Sequence, residues 1–244
     1  SLYVFLTLCH ATVFIKCCIS VLFHMKDLIF TIQTINMKLA AMLTTHSGGI
    51  YIMGTTQPIK NKKDITALKE YFLTEDFNLR NYTLITMGIN TALRISDILA
   101  LRWKDVYNTD EQSFRSHLNK REQKTGKSTC IALNQSVIQA LTLYRNSISV
   151  LSEQAFIFYG KTPDRPLCRS QAYRIIKNAC HQLRLPDNIS CHSLRKTFGY
   201  QALQAGVNPA ILMLIYNHSS FQVTKRYLGI DQDDKDNIFL EINL

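Results

Sequence analysis

The chain has 244 residues, 46% of them hydrophobic, and a formal net charge of +10 at neutral pH. The seven cysteines are odd in number and include no C-x-x-C pair. This argues against a disulfide framework and a structural zinc site, and it favours reduced thiols in the cytoplasm. Residues 60–230 hold 24 Lys and Arg against 12 Asp and Glu. That excess indicates either a polyanionic partner such as nucleic acid or a merely solvated basic surface, and charge alone does not separate the two.

Residues 1–59 differ in composition from the rest of the chain. Residues 2–23 are almost entirely apolar and long enough for a membrane span, but Lys16 near their centre would be costly in a bilayer. No small-residue cleavage site follows, so a signal peptide is not indicated. We therefore expect an atypical, appended N-terminal segment, with a membrane anchor or remnant helices of another domain as the alternatives.

The sequence becomes regular from about residue 60. Asp64 is predicted to cap a helix whose apolar positions begin at Ile65. A second helix is predicted over residues 79–89. A short third helix is predicted over residues 91–103, with Arg94 near its start.

A hairpin and two more helices are predicted next. Residues 113–133 read as two strand-like arms around Thr125 and Gly126, where the glycine supplies the turn. Residues 135–147 are predicted to be helical, and Ser170 is predicted to cap the helix that follows it. The resulting fold class is mainly α with one small antiparallel β-sheet (α+β).

The last third of the chain carries clear helix boundaries. The helix predicted over residues 192–205 ends at Gly206, because glycine is common just after a helix. Pro209 suits the first position of the next helix. Ser219 and Gln222 have the spacing of a capping box and are predicted to open the final helix, which carries Tyr227.

Taken singly, the polar residues of this region are ordinary. His192 and Arg195 are three positions apart, so they share one helix face near an N-terminus where an anion could bind. A solvated surface pair is nevertheless the commoner meaning of that spacing. Arg94 and Lys124 are equally unremarkable alone, and Tyr227 alone is most simply a core aromatic.

As an ordered set, the same residues form a specific pattern. The chain contains T-A-L-R at 91–94, K-T-G-K at 124–127, H-S-L-R at 192–195, N-H-S-S at 217–220 and a tyrosine nine positions after the second histidine. This order and spacing resemble the tyrosine recombinase (phage integrase) family over residues 60–230, and imply its catalytic-domain fold. Carried over position by position, the resemblance implies these catalytic residues: Arg94, Lys124, His192, Arg195, His218 and Tyr227.

The resemblance also implies a reaction. The Tyr227 hydroxyl would attack a DNA phosphodiester, giving a 3′-phosphotyrosine and a free 5′-hydroxyl without ATP. Arg94 and Arg195 would grip the non-bridging oxygens, because a guanidinium binds them bidentately. His192 would help to remove the phenolic proton, and Lys124 would protonate the leaving oxygen.

Further positions follow from the same resemblance. His218 would donate a hydrogen bond to the phosphate, and Asp97 matches the acid that supports such a site without touching the phosphate. Ala92 and Asn217 each replace a glycine of the family pattern. We expect alanine to give a different local backbone, whereas asparagine tolerates the left-handed conformation and preserves its turn. No cofactor and no metal ion are expected.

The implied partners are double-stranded DNA and further copies of the chain in a tetrameric synapse on DNA. Accessory DNA-bending or directionality factors are compatible with this scheme, and no membrane role is expected. From the resemblance we expect no complete core-binding domain within residues 1–59, because this stretch is short and poor in arginine. Residues 231–244 are expected to form an acidic helix or tail that docks on a neighbouring protomer.

Two rival functions remain open at this stage. A type IB topoisomerase would use similar chemistry to relax supercoils, although the H-x-x-R spacing and the short interval to the tyrosine favour a recombinase. A DNA-binding protein without catalysis would carry the same basic surface. Formation of a covalent protein–DNA adduct separates the second rival from an enzyme.

Overall fold

The computed structural model describes residues 56–121, 126, 128–186, 188–228, 236 and 239–242. The predictions for residues 1–55, for Lys124 and for most of residues 231–244 therefore lie outside the described residues. Within the described residues, no helix is both long and apolar enough to cross a membrane.

The described part of the chain is mostly helical, which confirms the predicted fold class. In chain order its elements are α1 (Lys62–Thr74), α2 (Leu79–Asn90), α3 (Ile95–Leu99), α4 (Trp103–Val106), β1 (Tyr107–Asn108), β2 (Ser113–Phe114), β3 (His117–Arg121), β4 (Ser128–Ala132), α5 (Gln135–Asn146), α6 (Arg169–Gln182), α7 (Cys191–Gln204), α8 (Pro209–Ile215) and α9 (Phe221–Leu228).

Two predicted helix caps were misplaced. Helix α1 begins at Lys62 because the side chain of Asn61 accepts a hydrogen bond from the Lys63 amide, so Asp64 lies within the first turn. Asparagine caps a helix as well as aspartate does, and it comes earlier in the chain. Helix α6 begins at Arg169 after Cys168, which leaves Ser170 inside the helix.

The segment predicted as one helix over residues 91–103 contains a turn and two short helices instead. Ala92 has φ +55°, outside the helical region, and Arg94 is extended (φ −72°, ψ 147°) as the residue preceding α3. Arg102 is extended again before α4. Arg94 therefore stands at the junction between a turn and a helix.

The predicted hairpin is present, but its first arm is shorter than expected. Strands β3 and β4 pair antiparallel, from His117 opposite Ala132 to Arg121 opposite Ser128. Residues 113–114 pair instead with Tyr107 and Asn108, so the described residues form two small two-stranded sheets. Gly126 has φ +68°, the left-handed conformation predicted for the turn.

Helix α2 holds the domain together, because it packs against α1, α5 and α7 and is buried along most of its length. A large apolar cluster surrounds Trp103 and includes Leu84 and Met87 from α2. A smaller cluster joins Leu212 of α8 to Leu228 of α9. This smaller cluster anchors the helix that carries Tyr227.

Candidate active site

Helix α7 presents His192 and Arg195 on one face, as their spacing predicted. The helix begins at Cys191, where the amide of Ser190 donates to the Ser193 hydroxyl at 3.0 Å. His192 is exposed, whereas Arg195 is only 2% exposed. The surface-pair interpretation is therefore wrong for Arg195, whose guanidinium lies inside the protein.

Arg195 joins two turns that are distant in sequence. Its Nη1 donates a short hydrogen bond to the carbonyl oxygen of Ala92, and its Nη2 donates to the carbonyl oxygen of Tyr216 at 3.0 Å. The guanidinium carbon also lies 4.8 Å from the centre of the Tyr216 ring. These contacts bring the turn before Arg94 and the turn before His218 to the same side of α7.

Both turns contain a non-glycine residue in the left-handed conformation. Asn217 has φ +53°, which confirms that asparagine preserves this turn. Ala92 has φ +55°, the left-handed conformation that a glycine adopts readily, so the expectation of a different local backbone is wrong. An L-residue with a Cβ pays roughly 1–2 kcal/mol there, and the Arg195 bond to the Ala92 carbonyl helps to hold the strained turn.

Three aromatic rings pack together at the junction of α8 and α9. The Tyr216 and His218 rings are nearly parallel, 5.1 Å apart with an interplanar angle of 20°. The His218 ring meets the Tyr227 ring edge-on at 4.4 Å. His218 Nδ1 also lies 3.0 Å from the hydroxyl of Thr224, which is fully buried one turn before Tyr227. The helix that carries the tyrosine thus also fixes the second histidine.

Tyr227 is surrounded by the groups that the sequence pattern singled out. Its ring centre lies 4.9 Å from that of His192 and 4.4 Å from that of His218. The guanidinium carbon of Arg195 lies 5.8 Å from the ring centre. The next residue, Leu228, is fully buried. Leu228 therefore fills the core, whereas the half-buried Tyr227 ring stands among cationic and imidazole groups.

The remaining predicted residues lie around this cluster. Arg94 is half-buried two residues after the Ala92 carbonyl that Arg195 holds, and Asp97 is fully buried in α3. Lys124 is outside the described residues. Its hairpin reaches the site, however, because the side-chain amide of Asn217 lies 3.4 Å from the Thr129 hydroxyl of β4.

Three residues that build the site were not among the predicted ones. Tyr216 is fully buried and its hydroxyl donates to the Arg195 carbonyl oxygen at 2.8 Å. Burial raises the pKa of Tyr216, so its hydroxyl stays protonated and can donate. Lys196 is buried beside Tyr227, and Gly199 lies against Tyr216. Gly199 was the one sequence signal for this contact. A glycine inside a helix costs about 1 kcal/mol relative to alanine, so its presence there indicates close packing against a neighbour.

The start of α9 differs slightly from the prediction. The helix begins at Phe221, so Ser220 rather than Ser219 directly precedes it. Among the residues that the structure describes, no three His, Cys, Asp or Glu side chains are grouped closely enough to hold a metal ion.

The chain resembles known proteins in sequence. This chain is 41% identical over 181 residues to a probable integrase/recombinase, YoeC, from Bacillus subtilis, covering 74% of this chain and 93% of that protein. It is 24% identical over 159 residues to the tyrosine recombinase XerC from Pelobacter propionicus, covering 65% of this chain but only 50% of that protein. The chain thus spans nearly all of one relative and half of the other.

Solved structures share the fold. A crystal structure of XerA recombinase aligns with a TM-score of 0.62 at 18% identity, over 78% of this chain and 68% of that one. A Tn1549 transposon integrase in complex with a circular intermediate DNA aligns with a TM-score of 0.58 at 20% identity, over 78% and 67%. The family model described as "Phage integrase family" matches residues 60–233. The chain therefore belongs to the phage integrase family, the tyrosine recombinases.

Proposed function

We propose that this protein cuts and rejoins double-stranded DNA through a covalent bond between Tyr227 and a 3′-phosphate. The tyrosine oxygen forms a bond to phosphorus while the bond to the 5′-oxygen breaks, and that oxygen leaves as a hydroxyl. A 5′-hydroxyl from a second strand then reverses the step, so the phosphodiester energy is conserved. One observation carries the proposal: Tyr227 lies within about 6 Å of two histidine rings and of the buried Arg195 guanidinium.

Arg195 and Arg94 stabilise the charge that develops on the phosphate. The two carbonyl contacts of Arg195 use one N–H from each Nη, which fixes the plane of the guanidinium before DNA arrives. Donors fixed in advance require no reorganisation during the reaction, and each is commonly worth about 2.7–4 kcal/mol. Arg94 follows the turn that Arg195 holds, so this hydrogen bond fixes the backbone from which the Arg94 side chain extends.

Proton transfer is assigned to the groups on either side of the scissile phosphate. A phenol is almost fully protonated at neutral pH, so the attacking oxygen must lose a proton. His192 is exposed and its ring contacts that of Tyr227, which suits a general base. Lys124 is assigned to the leaving oxygen, His218 to a phosphate hydrogen bond and Asp97 to the support of the site.

DNA is the proposed partner because the chain is strongly basic and related recombinases have been solved on DNA. The net charge of +10 predicts affinity that falls steeply with salt. A lambda integrase dimer bound to a core site aligns with a TM-score of 0.58 over 84% of this chain. We expect the protein to act on the bacterial nucleoid in the cytoplasm, with accessory DNA-bending or directionality factors as further partners.

Self-association on DNA, up to a tetrameric synapse, is proposed from exposed apolar residues at the end of the chain. Phe239 and Leu240 are 80% and 81% exposed. A cavity of about 520 Å³, lined in part by Phe198, Leu214 and Ile215, opens beside the β4 strand. We propose that residues 239–242 of a neighbouring copy occupy it. Deleting residues 231–244 should reduce cooperative assembly on DNA more than cleavage, and equal losses would contradict the docking.

The decisive experiment traps the covalent intermediate. A pool of nicked DNA duplexes with a randomised core is incubated with the full chain, so that the short 5′-hydroxyl fragment diffuses away after cleavage. Adducts are captured under denaturing conditions, and the attached DNA is sequenced to identify a cognate site. Tyr227→Phe is the test variant, and Tyr173→Phe is the matched control because Tyr173 is exposed on α6.

Adducts with the wild type and Tyr173→Phe, but not with Tyr227→Phe, support the proposal. If the wild type forms no adduct at low salt with any member of the pool, the protein does not cleave DNA through Tyr227 and the proposal fails. With the selected site, strand exchange between two duplexes identifies a recombinase. Plasmid relaxation without exchange would identify the topoisomerase alternative instead.

A further inference from the structure

Lys196 is a buried cation beside the candidate nucleophile, and the chemistry proposed above does not use it. It follows Arg195 on α7 and lies one helical turn after His192, so all three point toward the same region. The residue is only 7% exposed. Burying an ammonium costs free energy unless the group is paired or well hydrogen-bonded. A buried lysine at this position therefore calls for a physical explanation.

Two contacts define the environment of Lys196. Its Nζ donates a short hydrogen bond to the carbonyl oxygen of Thr56, at the start of the described chain. The same Nζ lies 5.9 Å from the centre of the Tyr227 ring. Lys196 thus connects the segment that leads into the domain with the helix that carries the nucleophile.

The groups facing the Tyr227 ring come from every element packed against it. His192 and Arg195 face it from α7, and Tyr216 and His218 face it from the turn after α8. Lys196 adds a second cation on the α7 side, at nearly the same distance as the guanidinium of Arg195.

We infer that Lys196 is a positioning residue for strand cleavage. Its ammonium, fixed by the Thr56 carbonyl, holds the Tyr227 ring against α7. It also stabilises the negative charge that the tyrosine oxygen gains when it loses its proton. This inference rests on the proposed function. Burial lowers the pKa of Lys196, as expected for an ammonium kept in place at a cost to folding.

The effect follows from the separation. The Lys196 ammonium lies 5.9 Å from the centre of the Tyr227 ring, close enough for its charge to favour the deprotonated tyrosine oxygen by Coulomb attraction. Removing the charge should therefore move the rising limb of the pH–rate profile to higher pH. Adduct formation at neutral pH should fall about threefold or more.

A purely structural role must be separated from this one. The segment 56–60 is also held to α7 by Gln201, whose side-chain amide donates to the carbonyl oxygens of Ile59 and Lys60 at 3.2 and 2.7 Å. Gln201→Ala loosens the same segment without altering the charge near Tyr227. It is the matched control for loss of anchoring.

The experiment uses the full chain in four forms: wild type, Lys196→Met, Lys196→Arg and Gln201→Ala. Single-turnover adduct formation on the selected nicked duplex is followed across pH. Nitration of Tyr227 by tetranitromethane, which attacks the phenolate, is followed by peptide mass spectrometry without DNA. The exposed Tyr173 serves as the internal standard, and thermal unfolding confirms that each variant folds.

Lys196→Met should slow nitration of Tyr227 relative to Tyr173 and move the pH–rate profile upward, while Lys196→Arg and Gln201→Ala leave both close to wild type. If Lys196→Met and Gln201→Ala slow cleavage equally and neither alters nitration, Lys196 only anchors the segment and the inference is overturned. If the wild type forms no adduct, the proposed function fails, but the nitration rates still decide the role of Lys196. Should Lys196→Met fail to fold, Lys196→Gln replaces it as the uncharged variant.

Discussion

Gly199 of α7 is the position at which one added methyl group, as in Gly199→Ala, should disturb the candidate site most. A Cβ at this position would lie 2.3 Å from the Tyr216 hydroxyl oxygen and 2.9 Å from a ring carbon. Ordinary contact begins near 3.4 Å, so the oxygen must move by about 1 Å. Tyr216 cannot move freely, because it is fully buried and its hydroxyl bonds to the Arg195 carbonyl oxygen.

The expected stability change is the balance of two opposite terms. Overpacking a well-filled core costs about 1–3 kcal/mol. Alanine favours a helix interior by about 0.5–1 kcal/mol over glycine, which offsets part of that cost. We therefore expect Gly199→Ala to lower the free energy of unfolding by only about 0.5–2 kcal/mol.

The expected loss of activity is larger than the loss of stability. Tyr216 stacks on His218, and its carbonyl oxygen holds Arg195, so a shift of Tyr216 misplaces two groups of the site together. A displacement near 1 Å can cost about 100-fold in rate. We expect adduct formation by Gly199→Ala to fall at least about tenfold under conditions in which the protein is fully folded.

The assay combines urea unfolding with single-turnover adduct formation in a double-mutant cycle. Tyr216→Phe removes the atom in closest conflict and should cost about 1 kcal/mol alone. In the double variant the two losses should not add, because the phenylalanine relieves part of the clash. Gly88→Ala is the control: its Cβ would meet the Leu194 side chain at 2.6 Å, in an apolar cluster away from Tyr227.

Strict additivity of Gly199→Ala and Tyr216→Phe, or wild-type adduct formation in Gly199→Ala, would contradict the role given to the Tyr216 contact. Gly88→Ala should destabilise the protein with adduct formation within about threefold of wild type. If both glycine variants lose activity in proportion to their loss of stability, the effect is general and not a property of the Tyr216 contact.

Three further predictions test other parts of the site. Thr224→Val removes the hydroxyl bonded to His218. The free energy of unfolding should fall by about 1 kcal/mol, and adduct formation should slow severalfold. Unchanged cleavage would mean that this bond does not orient the histidine. Lysine lacks the planar guanidinium that bonds to two carbonyl oxygens at once, so Arg195→Lys should abolish detectable adduct and lower the unfolding midpoint. A detectable adduct or an unchanged midpoint would argue against the bridging role. Burial raises the pKa of the Cys180 thiol to about 11, whereas neighbouring hydrogen bonds lower the pKa of the exposed Cys168 thiol. At pH 8 Cys180 should thus be almost wholly protonated and Cys168 should be alkylated much faster, as peptide mass spectrometry can measure; equal rates would contradict the burial of Cys180.

Helix positions could be predicted well because they follow local rules. The periodic apolar residues, the glycine after α7 and the proline at the start of α8 each act through their own backbone. Caps were predicted less well, since Asn61 competes with Asp64 for the same role within a few residues. The turn at 91–94 was missed because Ala92 is held left-handed by Arg195, which is more than a hundred positions away.

The family pattern and the residue types that could carry the chemistry can be recognised in the chain before folding, since the order and spacing of these residues are local properties. The folded structure was needed to show that Arg195 is buried and bridges two turns, and that Tyr216 supports His218. It also decided that Lys196 lies beside Tyr227 and not on the surface. The physical reason is that burial and hydrogen bonding between distant segments depend on packing, and a position in the sequence does not reveal which groups will lie together after folding.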